Sequence, residues 1–96
     1  MIFKNQKELF NYLWDNRPHT SELTGKPLLP KWHFQWHWQF AHILPKGSYP
    51  KWKLEAKNIV LCLPDEHTNQ ERYPKFKEMF DQGKREYYKE FYNKEF

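Results

Sequence analysis

Residues 31–44 read KWHFQWHWQFAHIL, and residues 58–67 read NIVLCLPDEH. In the first stretch Trp32, Phe34, Trp36, Trp38, Phe40, His42 and Leu44 share one parity, while Lys31, His33, Gln35, His37 and Gln39 share the other. Side chains alternate faces along extended backbone, so this pattern predicts an extended chain that becomes a half-buried strand in its later part. The aromatic stripe is then a core face, because aromatic side chains bury large areas each. Asn58 to Leu63 is a short apolar run rich in β formers and predicts a returning strand. Between them, Pro45 to Lys57 is a loop containing Gly47 and Pro50. Pro64-Asp65 reads as a helix start with Asp65 as its N-cap. That helix would carry His67 and Glu71 on one face, a turn apart.

On the N-terminal side, Leu9, Phe10, Leu13 and Trp14 fall at helical spacing and predict an amphipathic helix over residues 5–15. Asn16-Arg17-Pro18 closes it, since the residue before proline avoids the helical region. His19 to Pro30 is rich in turn formers and reads as a loop. Beyond the hairpin, Pro74 restarts a helix that runs through Phe76, Met79, Phe80, Tyr87, Tyr88, Phe91 and Tyr92, with Gly83 as a break. The expected class is α+β: a hairpin and helix flanked by an N-terminal helix and a C-terminal helical arm, all within one domain spanning residues 1–96.

Five Trp, six Tyr and eight Phe let a chain of 96 residues close a core. Only 39% of the residues are hydrophobic, and no apolar run has the length a membrane helix needs. The mixed polar and apolar composition of Met1 to Asn16 does not read as a signal peptide. A single cysteine, Cys62, leaves no internal disulfide and no paired-cysteine zinc knuckle, so no structural zinc is expected and a reducing, cytoplasmic setting is. Inside an apolar strand, Cys62 reads as a small buried hydrophobe.

The net charge is +4, unevenly spread. Lys26, Lys31, Lys46, Lys51, Lys53 and Lys57 face the single acid Glu55 in residues 26–57, whereas residues 58–71 hold Asp65, Glu66 and Glu71 with no Lys or Arg. The first segment suits a phosphate backbone and the second a divalent cation, although a solvated lysine-rich loop beside a helix start gives the same pattern.

A histidine ending one strand (His42), an asparagine opening the next (Asn58) and a histidine in the following helix (His67) together resemble the HNH family of nucleases, whose ββα-metal motif is a hairpin followed by a helix. The resemblance covers roughly residues 19–71. The run Ser21-Glu22-Leu23-Thr24-Gly25-Lys26-Pro27-Leu28 is similar to the segment preceding the hairpin in small phage-type members, where many relatives carry a cysteine pair. The run His42-Ile43-Leu44-Pro45-Lys46-Gly47 is similar to short phage proteins. On this basis the core motif spans about 31–73 and the arm about 74–96.

The resemblance implies metal-dependent hydrolysis of DNA phosphodiester bonds, with double-stranded DNA as partner and no membrane; a phage protein would act in the bacterial host cytoplasm. It makes His42 the general base, a role that suits an imidazole near neutral pH. His67 becomes a ligand of one divalent cation, with magnesium the first expectation and manganese, nickel or zinc as alternatives. Asn58 takes a supporting place, securing the loop and orienting the base. Lys46, Lys51 and Lys53 in the hairpin loop are placed near phosphates. Many members carry an Asp or His ligand directly before the base; here that position is Ala41, and Glu71 is the expected substitute, ahead of Asp65 or Glu66. The alternative is a catalytically inactive HNH-fold DNA-binding protein or phage-complex subunit, which Ala41 favours. An aromatic face of Tyr87, Tyr88, Phe91 and Tyr92 on the arm could also dock a protein partner. Without its context His42 reads as a hydrogen-bonded core histidine, and His33 and His37 read as surface residues.

Overall fold

A computed structural model describes residues 2–93. Residues 1 and 94–96, the ends of the expected domain and arm, lie outside it. The first element is helix α1, Gln6–Asn16, whose N-cap Asn5 accepts a hydrogen bond from the Glu8 N–H at 2.9 Å. Its stripe of Leu9, Phe10, Leu13 and Trp14 is buried, as the helical spacing predicts.

Strands β1 (Phe40–His42) and β2 (Ile59–Leu61) form an antiparallel hairpin, with Phe40 opposite Leu61, Ala41 opposite Val60 and His42 opposite Ile59. Alternation along the strands divides the core between two helices. Phe40, Ile59 and Leu61 pack with the stripe of α1. Ala41 and Val60 join Cys62 and Phe76 on the other face. Phe76 belongs to the long helix α3, Pro74–Tyr92, so the hairpin lies between an N-terminal and a C-terminal helix. Between hairpin and α3 comes the short helix α2, Pro64–Thr68. The small α+β class and the element order agree with the sequence reading.

Three local expectations are corrected. The extended chain anticipated from Lys31 is absent: residues 31–39 form turns ending in a 3₁₀ turn, Trp36–Gln39, and only Phe40–His42 is strand. Local bonds shape the segment, from the N–H of His33 to Pro30 O (2.9 Å), of Trp36 to His33 O (3.0 Å) and of Trp38 to Gln35 O (3.0 Å). Gln39 is buried and folds the segment back, accepting from Leu29 N–H at 2.6 Å and donating to Leu29 O and Trp36 O at 3.2 Å. The aromatic stripe is therefore not a core face throughout. Phe40 is buried and Trp36 packs against the core, but Trp32 is 84%, Phe34 78% and Trp38 55% exposed.

The second correction concerns the start of α2, where Leu63 is the N-cap, Pro64 the first helical residue and Asp65 the second. Capping falls to Glu66, which accepts from the Leu63 N–H at 2.9 Å. The third is Gly83, which does not break α3. It is buried where the helix crosses the residues after β1, and a Cβ there would meet Leu44 Cγ at 3.6 Å. Leu44 in turn packs with Trp52 and Tyr87, so α3 closes over the loop between the strands. Among the described residues, no helix is long and apolar enough to cross a membrane.

Candidate active site

His42 ends β1 on the face opposite Ala41 and opens into a cleft of about 540 Å³, lined also by Lys4, Asn5, Gln6, Lys46, Gly47, Pro50, Lys53 and Leu54. Its Nε2 lies 2.9 Å from the carbonyl oxygen of Lys53. A carbonyl only accepts, so Nε2 carries the proton and Nδ1 keeps the lone pair in the neutral ring. Burial holds its pKa below the ordinary 6.5; the Lys53 carbonyl pulls the other way, and the charges of Lys46 and His67 add to the lowering.

His67, in α2, is held in the complementary sense. Its Nδ1 lies 2.7 Å from the carbonyl of Trp38, which leaves Nε2 with the free lone pair. It lines a separate cleft of about 360 Å³ with Gln35, Trp38, Pro64, Thr68 and Gln70. The two imidazoles border different clefts, yet they are close enough for the charge of one to act on the other.

Asn58 closes the loop between the strands and is fully buried. Its Oδ1 accepts from Leu44 N–H at 2.9 Å, and its Nδ2 donates to Leu44 O at 3.1 Å and to Trp52 O at 3.3 Å. Trp52 precedes Lys53, whose carbonyl fixes His42, so Asn58 reaches the histidine only through the loop it secures. It is a positioning residue.

The other expected site residues separate. The helix carrying His67 ends at Thr68, and Glu71 falls in a 3₁₀ turn, Gln70–Arg72. Its side chain borders a depression with Phe76, Lys77, Phe80 and Asp81 on α3, so the shared helical face expected for His67 and Glu71 does not form. Lys46 and Lys53 line the His42 cleft, whereas Lys51 places its Nζ over the rings of Phe91 (4.9 Å) and Tyr92 (5.1 Å). Ala41 is buried against Val60, Cys62 and Phe76. Asp65 is exposed. Among the described residues, no group of three His, Cys, Asp or Glu side chains comes together as a metal-ligand set. Tyr87 packs on Leu44 and Trp52, so much of the arm's aromatic face is already used by the protein's own loop.

Two features escaped the sequence reading. Lys4 reaches the His42 cleft from a segment with no motif to mark it. Glu66, read only as a weak ligand candidate, is buried and accepts from Ser21 Oγ, Thr24 Oγ1 and the Leu63 N–H. Burial pushes its carboxyl up, but these three donors and nearby Lys26 outweigh that, and its pKa lies below the usual value. The Ser21–Thr24 turn is thus clamped to the base of α2 by a carboxylate. Beside it, the Glu22 carboxylate bonds Arg17 at 3.0 Å and the Leu61 N–H, while Arg17 reaches Ile59 O at 2.7 Å and Ala56 O at 2.9 Å. Cys62 is buried, its thiol pushed up to about 12 by burial and by Glu66, Glu22 and Asp65, so it is chemically inert.

Comparison with protein-family profiles, curated proteins and solved structures finds no match.

Proposed function

We propose that the chain is an HNH-type endonuclease that hydrolyses DNA phosphodiester bonds, with His42 as general base and a divalent cation held at His67. The observation that carries this reading is the opposite anchoring of the two imidazoles. His42 is tied through Nε2 and His67 through Nδ1, each to a main-chain carbonyl, so each offers one defined lone pair. The order β1, β2, α2 with Asn58 at the loop's end supports the same reading, since it is the order of a ββα-metal motif.

A histidine whose other ring nitrogen donates to a backbone carbonyl has the usual outer support of a metal ligand, so His67 fits an ion with one imidazole and water or phosphate oxygens in the rest of its shell. A nitrogen donor suits nickel or zinc better than magnesium. When bound, the ion would stabilise negative charge on the scissile phosphate and the leaving oxygen. His42 Nδ1 accepts the proton of the attacking water, and burial, which lowers the pKa, favours the neutral ring this role needs. Lys4, Lys46 and Lys53 around the cleft hold the phosphate backbone without reading sequence.

A catalytically silent DNA-binding protein is the second reading, favoured by Ala41, whose apolar packing leaves that position without a ligand. A plasmid-relaxation assay with magnesium, manganese, nickel and zinc separates the two. The nuclease reading expects metal-dependent cutting that His42→Ala loses while remaining folded; binding without cutting under any of these ions supports the second.

A further inference from the structure

We propose that the turn segment 31–38 is a stacking surface for unpaired DNA bases, presenting single-stranded or frayed DNA to the His67 cleft. The proposal rests on the nuclease reading for the use made of that strand, but not for its binding. Trp32, Phe34 and Trp38 are the large apolar side chains most openly displayed in this part of the molecule, and they lie within a few residues of one another. The His33 ring stacks on Phe34 at 4.8 Å and 20°, and the His37 ring lies 5.1 Å from Trp38. Open flat rings with imidazoles against them are faces that nucleobases can stack on, whatever their identity.

Charge selects the partner. No Asp or Glu occurs between Glu22 and Glu55, so the patch carries imidazoles and Lys31 with no acid of its own segment beside them. Lys31 extends over the Trp36 ring at 5.6 Å, at the inner edge of the patch. Open aromatic faces with Lys31 beside them, and with Asp65 of α2 bordering Gln35, suit uncovered bases better than the backbone of a closed duplex. In a blunt duplex the bases are already stacked and paired, so Trp32 and Phe34 would find only backbone. Continuity with the candidate site completes the argument. Trp38 lines the same cleft as His67, and its carbonyl is the group that orients the His67 ring.

The test is fluorescence anisotropy in EDTA, so that no cutting occurs, using the intact chain with labelled oligothymidylate of about 16 nucleotides and a blunt duplex of equal length. The proposal expects tighter binding to the single strand. Trp32→Ala and Phe34→Ala should each weaken single-strand binding by about tenfold and leave duplex binding within about twofold. Both side chains are exposed, and unchanged thermal melting checks that the variants fold. Equal affinity of the intact chain for both forms would overturn the proposal. So would variants that bind the single strand as the intact chain does, leaving the patch as a surface for a protein. Because the assay runs in EDTA, its outcome does not depend on cutting, which distinguishes this proposal from the nuclease reading. Should cutting never be detected, the single-strand preference and its loss in the two variants still stand or fall on their own.

Discussion

Two loops flank β1, and both carry tryptophan, yet they treat it in opposite ways. The loop after the strand buries Trp52 to 1% exposure, while the segment before it leaves Trp32 84% exposed. Each loop has a buried amide at its base. Asn58 bonds the main chain of Leu44 and Trp52, and Gln39 bonds that of Leu29 and Trp36. What differs is the element opposite. Helix α3 lays Tyr87 against Trp52 and Leu44, and Glu90 accepts the Trp52 indole N–H at 3.1 Å. Trp32 and Phe34 stand open on turns closed by i to i+3 bonds, and Trp38 meets only the short helix α2, whose His67 bonds its carbonyl. The fate of an aromatic side chain is set by what packs across from it, not by its parity in the sequence.

The sharpest way to break this comparison is to remove one ring from each loop. Trp52→Ala should cost about 3–5 kcal/mol in chemical denaturation, as for other buried aromatic truncations, whereas Trp32→Ala should stay within about 0.5 kcal/mol. Similar losses in the two variants would mean that segment 31–38 packs more than its exposure indicates. Asn58→Ala comes next, at about 2–3 kcal/mol, because it strands the Leu44 N–H and two carbonyls inside the loop. A near-neutral result would show that the loop is held by Trp52 alone.

Glu66→Gln sharpens the other side of the hairpin and should cost about 2 kcal/mol at neutral pH, since charge-assisted bonds from Ser21 and Thr24 are weakened. The folded-state pKa of Glu66 is depressed, so its contribution is complete above the ordinary 4.5 and is lost as pH falls through the lower, folded value. Denaturation midpoints of the intact chain and the variant should therefore converge on acidification below pH 4.5. A gap that stays constant would remove the carboxylate from the clamp. The smallest effect is a gain: Gly83→Ala should stabilise by about 1 kcal/mol, because the helix is continuous there and the new Cβ meets Leu44 at an ordinary contact distance. Destabilisation would mean that α3 and the loop lie closer than that distance implies.

Much of the architecture is legible in the sequence because it is carried by periodicity and proline. Leu9, Phe10, Leu13 and Trp14 mark α1, the run after Asn58 marks β2, and Pro64 and Pro74 mark the helix starts. Parity misleads at residues 31–38, since turns can reproduce an alternating pattern that only a partner strand would make into a sheet. Gly83 misleads because a glycine costs a helix only about 1 kcal/mol, a weak term beside the packing of α3 on the hairpin and its loop. At the candidate site the resemblance singles out His42, Asn58 and His67 by their order and spacing. The carbonyls of Lys53 and Trp38 that set the two tautomers belong to the main chain, and no residue type announces them. Glu71 fails as a partner for His67 because α2 ends early, at Thr68, and the following turn faces α3.

The central claim is a division of labour between two oppositely anchored histidines, and single-turnover plasmid cleavage across a nickel or manganese titration tests it most directly. The account predicts that His67→Ala needs a much higher metal concentration to reach its rate, while His42→Ala stays slow, by about a hundredfold or more, even at saturating metal. The two variants losing activity in the same way, or an intact folded chain that cuts at no metal concentration, would contradict it.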